Sequence, residues 1–256
     1  MRAPANFAVS ADAYDRFMGR YSTQLAPRLA DFAGVRAGQR AIDVGCGPGA
    51  LTAVLVERLG ARQVCAVDPS RSFCDEARER FPAVDIRLAV AEDLPFADAS
   101  FDAALAQLVV HFMTDPVAGL REMARVVRRD GVIAACVWDH AGGQSPVSVF
   151  WRAARELDPG AADEAHLAGA REGHLADLFV AAGLRSVETT AIAASVIDPT
   201  FDAWWEPYTL GVGPAGTYLA GLDADRRARL RERCAALLPP APIASTARAW
   251  AARALV

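Results

Sequence analysis

The stretch AIDVGCGPGALTAVL, Ala41 to Leu55, concentrates residues whose types and spacing could do chemistry. An apolar run reaches Asp43, three glycines follow at alternating positions, Gly45, Gly47 and Gly49, and a helix-like sequence begins at once. A strand that empties through glycines into a helix presents backbone N–H groups and a helix N-terminus to a small molecule. The dinucleotide fingerprint G-x-G-x-x-G holds a pyrophosphate in this way. Here Ala50 stands at the last position of that fingerprint, where alanine is tolerated, so the glycines alone do not choose the ligand. Asp43 beside the turn would repel a pyrophosphate and would suit a cationic amino-acid tail. Asp68, at the end of the next apolar run QVCAV, is placed to accept hydrogen bonds from both hydroxyls of a ribose.

The elements that must position these residues alternate from Ala41 to about Ala194. Leu51 to Leu59 reads as a helix stopped by Gly60, and Ser70 to Arg80 as a second, with Ser70 at its cap. Val84 to Val90 and Phe101 to Gln107 read as strands. Asp115-Pro116 starts a helix whose apolar positions Val117, Leu120, Ala124 and Val127 recur at helical spacing. Gly131 to Trp138 is a fifth strand, Gly173 to Leu184 a helix closed by Gly183, and Arg185 to Ser195 a further strand. Strands separated by helices of this length predict an α/β fold, a parallel sheet wound on both faces, with ligands beyond the carboxyl ends of the strands. The informative positions are then Asp43–Gly49, Asp68, Ala91–Asp93, Gln107–Phe112 and Trp138–His140. Three segments break the alternation: the helical region Tyr14 to Phe32, and two aromatic, proline- and glycine-rich excursions, Ser145 to about Ala170 and Pro199 to Gly221. A charged helix, Asp223 to Leu237, and a last strand near Ser245 to Ala254 complete the pattern.

The 256 residues suit one domain, 53% hydrophobic and 23% charged. No lysine occurs, all 27 basic residues are arginine, and acids separate most of them. With a formal charge of −4 there is no electrostatic support for nucleic-acid binding. The N-terminal residues lack the apolar centre of a signal peptide, and no apolar run approaches the ~20 residues of a membrane span. The five cysteines (46, 65, 74, 136 and 234) show no paired metal spacing, so they are expected reduced, in a cytoplasmic protein without a metal site.

In this order, AIDVGCGPGALT, VDPS, AEDLPFADASFDAALA and LREMARVVRRDGVIAACVWD resemble the class I S-adenosylmethionine-dependent methyltransferases, in particular the group that includes the ubiquinone and menaquinone enzymes. The likeness covers roughly residues 10 to 195, and YDRFMGRYS is similar to that group's cap segment. It implies a Rossmann-like sheet of seven strands, the last antiparallel, with helical lid insertions. One methyltransferase domain is expected: a cap (1–35), a cofactor core (36–139), lid excursions (140–175 and 198–222), and a terminal helix and strand (223–256). The cofactor it implies is S-adenosyl-L-methionine. Asp43 and the Gly45-Cys46-Gly47 to Gly49 backbone would meet its methionine end, Asp68 with Pro69 its ribose, and Ala91, Glu92 and Asp93 its adenine. Gln107 and Leu108 would line the sulfonium side, and Tyr14 and Arg20 would close over the top. Two positions depart from the family pattern. Val90 stands where relatives carry Asp or Asn to meet the adenine amine, so the backbone or Glu92 would replace it. Arg129-Asp130-Gly131 replaces the usual Pro-Gly-Gly turn before the fifth strand.

Methyl transfer from a sulfonium requires alignment above all, and a base only where the nucleophile keeps a proton. His111 and His140, after the fourth and fifth strands, are the candidate bases; each is alternatively a locally packed residue. Trp138, Phe150, Trp151, Trp204, Trp205 and Tyr208 would wall an apolar pocket for a small-molecule acceptor, or in part form the lid's own core. Trp250 reads as sheet core. Two other classes stay open. A nicotinamide-dependent oxidoreductase, using NAD(P), would leave AEDLPF without a role, and a non-catalytic protein would bind the cofactor and form no product.

Overall fold

The four residues Ala41–Val44 are buried without exception and form β1, an interior strand of the sheet. The computed structural model describes residues 11–256, so the first ten residues of the expected cap lie outside the described residues. Seven strands make one sheet in the order β3-β2-β1-β4-β5-β7-β6: β2 is Val64–Asp68, β3 Asp85–Leu88, β4 Phe101–Gln107, β5 Val127–Trp138, β6 Arg185–Asp198 and β7 Ile243–Leu255. The first five strands pair in parallel, and β7 runs antiparallel between β5 and β6. This is the expected α/β sheet with its last strand reversed. Strand order changes direction between β1 and β4, which opens a crevice at their carboxyl ends.

The helices are α1 (Ala11–Tyr14), α2 (Arg20–Ala33), α3 (Ala50–Leu59), α4 (Arg71–Arg80), α5 (Pro116–Val126), α6 (Ser148–Leu157), α7 (His174–Ala181), α8 (Phe201–Trp205), α9 (Gly213–Ala220) and α10 (Ala224–Leu237). Successive strand residues point to opposite faces. Accordingly Ala41, Val64 and Ala66 pack with Leu25, Leu29, Leu51 and Leu55 of α2 and α3, while Ile42, Val44, Cys65 and Val67 share the other core with Leu120 and Met123 of α5 and Phe179 of α7. Asp115 caps α5 by accepting from the Val117 and Ala118 backbones at 3.0 Å each. Ser70 holds the N-cap position of α4, but its hydroxyl pairs with that of Ser72 at 2.9 Å.

Several boundaries differ from expectation. The α1 and α2 helices are joined by a π-helical turn, Asp15–Gly19. β5 starts at Val127, ahead of Gly131, because its register against β4 shifts between Phe101 and Ala103 and the chain passes through Asp130 at φ 61°. Trp250 is half-buried, covered by the Arg248 guanidinium 4.6 Å from its ring centre. Both excursions leave the sheet as expected. Phe17, Val147, Phe150, Trp151, Trp204, Trp205, Tyr208, Leu219 and Leu230 join there in a third core, separate from the two that clamp the sheet. All five cysteines are buried free thiols.

Candidate active site

A cavity of about 900 Å³, counting the solvent at its mouth, opens where the carboxyl ends of β1, β2, β4 and β5 converge. Gly45, Gly47, Asp68 and Pro69 line one side, Gln107, Leu108, His111, Trp138 and His140 the other, and Tyr14, Phe17 and Met18 lie over it from the N-terminal segment.

The three glycines do different work. Gly45 has φ +73°, and a Cβ there would come 2.4 Å from the Val109 side chain, so the turn and the loop after β4 approach too closely for any side chain. A Cβ on Gly49 would strike Phe81 at 2.5 Å, which is also a packing demand. At Gly47, with φ +53°, an added Cβ would meet nothing within 4 Å; the bare backbone there faces the cavity. The Gly47 N–H donates to Asp68 Oδ2 at 2.9 Å, and Ser70 N–H donates to Oδ1 at 2.8 Å. Each Asp68 oxygen thus keeps acceptor capacity. Burial raises its carboxyl above the ordinary range, opposed by those two backbone bonds.

Asp43 lies behind the turn, 1% exposed. Its Oδ2 accepts from the Thr52 hydroxyl at 2.7 Å, and its Oδ1 is buried without a hydrogen-bond partner among the described residues. Burial pushes this carboxyl up to about 7; the Thr52 bond holds it down in part, and neighbouring Asp68 adds to the rise. Cys46 is buried with its thiol raised by desolvation.

On the opposite wall, Leu108 adopts φ 62°, a left-handed conformation rare outside glycine, and donates its N–H to Cys136 O at 2.9 Å. Such strain is kept where a wall must turn sharply. The Gln107 amide donates to Ser22 O at 3.1 Å and ties α2 to the end of β4, while its Oε1 has no partner among the described residues. The rings of His111 and His140 are 5.8 Å apart between centres. Burial pushes the His140 imidazole down to about 4, with Asp163 and Asp139 opposing, so it is neutral near pH 7. Its Nε2 lies 4.0 Å from Glu164 Oε1, and Glu164 Oε2 accepts from the Trp151 indole at 2.7 Å.

Of the residues singled out in the sequence, the fold gathers Tyr14, Gly45, Gly47, Asp68, Pro69, Gln107, Leu108, His111, Trp138 and His140 around one cavity. Others are placed elsewhere. Arg20 is turned away to Asp198, 2.7 Å from its carboxylate. Glu92 Oε1 accepts from the Thr114 and Asp115 backbones at 2.7 and 3.1 Å, a tie between loops, while Ala91 is buried in the core beside α5 and Asp93 is exposed. Phe150, Trp151, Trp204, Trp205 and Tyr208 do not line the cavity. They fill the excursions' own core, where Phe150 stacks on Tyr208 at 4.9 Å and 6° and the Tyr208 hydroxyl donates to Pro146 O at 3.1 Å. The excursions reach the cavity instead through Val147, Glu164 and the stretch Val212–Ala215, none of which the sequence marked. The glycine–proline run GVGP was the available signal, since it begins α9 with a backbone too tight to lie in a helix interior.

A doubly wound sheet with a ligand cavity at its switch point, a glycine turn after β1 and an acid closing β2 defines a nucleoside-cofactor site. Residues 42–135 match the family described as a methyltransferase domain, in line with the resemblance of the sequence to the class I S-adenosylmethionine-dependent methyltransferases. An uncharacterized methyltransferase of Mycobacterium tuberculosis is 35% identical over 134 residues, 52% of each chain. The O-methyltransferase cnsE of Penicillium expansum is 35% identical over 168 residues, 62% of this chain and 56% of that one. The chain thus spans about half the length of the curated relatives it matches. The YcgJ protein of Bacillus subtilis shares the fold with a TM-score of 0.60, at 20% identity over 90% of this chain and 97% of that one.

The family's cofactor is S-adenosylmethionine, and the residues present fit it. Gly47 leaves room above the turn for an amino-acid tail, the buried Asp43 carboxyl with its unpartnered oxygen lies behind it, where it could meet a cation, and Asp68 keeps acceptor capacity for a ribose diol.

Proposed function

We propose that the chain transfers a methyl group from S-adenosylmethionine to a hydroxyl of a small, largely apolar molecule. One observation carries the reading: a single cavity joins the glycine turn and Asp68 to a second wall of His111, His140, Trp138 and Phe112. The bound cofactor supplies a methyl group already activated on a sulfonium. The chain's own task is then to hold an acceptor in line and keep water out. Gly47 and Asp68 would fix the cofactor's amino-acid tail and its ribose. Tyr14, Phe17 and Met18 with Val212–Ala215 would cover the cavity, making residues 1–35 and the two excursions a lid on one methyltransferase domain. His111 would take the hydroxyl proton at one ring nitrogen as the oxygen bonds to carbon. His140, neutral and buried, would shape the same wall and accept a proton less readily.

The preference for oxygen leans on cnsE, whose name makes it an O-methyltransferase. The small apolar acceptor follows from a lining dominated by Phe17, Met18, Val109, Phe112, Trp138, Val147 and Pro214. The net charge of −4 disfavours a nucleic-acid acceptor. A cytoplasmic setting belongs to the same reading: all five thiols are unpaired. Among the described residues no helix is long and apolar enough to cross a membrane.

Calorimetric titration with S-adenosylmethionine, S-adenosylhomocysteine and NADH tests this. Micromolar binding of both adenosyl compounds, lost in Asp68→Ala, is the expected result and leads to an acceptor screen for released S-adenosylhomocysteine. Binding of NADH alone would replace the reading with an oxidoreductase.

A further inference from the structure

Asp43 and Asp68 end neighbouring parallel strands, whose register sets Asp43 opposite Ala66. Both are buried, at 1% and 6% exposure. Among the described residues no cation pairs with Asp43. Its donors are the hydroxyl and the backbone N–H of Thr52 on α3, and its Oδ1 is left without a hydrogen-bond partner among these residues. The other titratable groups around it deepen the problem. Asp68 on β2 repels its charge, and the charge of Asp43 in turn raises the Cys46 thiol of its own turn and the Tyr14 hydroxyl above it. A half-satisfied carboxylate shut away from water beside a second carboxylate is costly in its ionised form. Such a group gives up its charge unless a cation arrives.

We infer that Asp43 is a proton-linked element of the cofactor site: it carries a proton in the empty chain and loses it to solvent when the cofactor's ammonium group settles over the glycine turn. The exchange balances: the neutral carboxyl and the ammonium become a carboxylate–ammonium pair plus one proton to the buffer, with no bond to carbon or sulfur changed. The inference rests on the reading that the turn holds the amino-acid end of S-adenosylmethionine. With the carboxyl raised to about 7, binding at pH 7 should release about half a proton per ligand, close to one at pH 6 and little above pH 8. Affinity should fall roughly tenfold per pH unit below pH 6.

Calorimetric titration of the full chain with S-adenosylhomocysteine, in buffers of different ionisation enthalpy, reads the released proton directly and needs no acceptor or turnover. The wild type should show the graded release, and Asp43→Asn should release none. Thr52→Val, which removes the donor that favours the charged form, should move the release to higher pH, so that the pH 8 value rises. This second variant decides the matter if Asp43→Asn does not fold. Binding without proton release, or equal release from wild type and Asp43→Asn, would overturn the inference and leave the methyltransferase reading standing. Failure of the wild type to bind S-adenosylhomocysteine at any pH would overturn both.

Discussion

The two sides of the cavity are built by opposite means. The cofactor side is backbone and short side chains fixed by the central strands: Gly45, Gly47 and Asp68 sit where β1 and β2 end, and their positions follow from strand register. The lid side is a small aromatic core of its own, Phe150, Trp151, Trp204, Trp205 and Tyr208, which touches the cavity only through what it props up, Val147, Glu164 and Val212–Ala215. The first region has little freedom to change without losing the sheet. The second can alter its cavity face while keeping its core. On the proposed function, cofactor recognition would lie in the rigid half, and acceptor choice in the half with independent packing.

Truncating the lid core should give the largest effect. Phe150 is fully buried between Trp151, Trp205 and Tyr208. Phe150→Ala should cost ~4 kcal/mol in urea unfolding, yet leave the affinity for S-adenosylhomocysteine within about threefold where the chain is folded. A large loss of affinity would erase the division between the halves.

That division also governs what was legible in the sequence. Gly45, Gly47 and Asp68 could be read because a strand–turn–helix pattern fixes where backbone and one acid must lie. The count of seven strands with the last reversed came from the family resemblance, not from periodicity. The lid was not legible at the level of residues. Aromatics near a cavity are drawn into each other's company as readily as into its wall, and spacing cannot tell which: Tyr208 points to Phe150 and Pro146, whereas Pro214, chemically unremarked, lines the site. Arg20 and Glu92 were obscured for a related reason, since Asp198 and the Thr114–Asp115 backbone, distant in sequence, claim them.

The glycines sharpen the comparison within the rigid half. Gly45→Ala combines a clash with Val109 and a left-handed backbone, and should lose ~3 kcal/mol of stability. Gly47→Ala meets no neighbour and should lose only ~1 kcal/mol for its backbone conformation, while weakening S-adenosylhomocysteine binding about tenfold or more, a change of ~1.4 kcal/mol. Urea unfolding and calorimetry on both variants separate the two roles. Equal stability losses would mean that Gly47 is a packing glycine too.

The smallest effect expected is a pH dependence in which the halves oppose each other. The Asp43 carboxyl is raised from 3.8 to about 7, so the stability it contributes is present below that ordinary value and is lost as pH rises through 7. The His140 imidazole is lowered from 6.5 to about 4, so its contribution is present above 6.5 and is lost as pH falls through 4. Between pH 4 and 6.5 the two slopes have opposite sign, and the ligand-free wild type should be nearly flat there. Asp43→Asn should uncover the His140 slope, stability falling by up to ~1.4 kcal/mol per pH unit on acidification, and His140→Asn should uncover the reverse. Thermal unfolding at half-unit pH steps measures both, and parallel profiles for the two variants would refute the assignment.

The most direct test of the central claim is a crystal structure of the chain with S-adenosylhomocysteine. The ribose hydroxyls should lie on Asp68, the amino-acid tail on the Gly47 backbone, and the sulfur should face the wall of His111, Trp138 and His140. An adenosyl group bound elsewhere, or one whose sulfur faces away from that wall, would contradict the account.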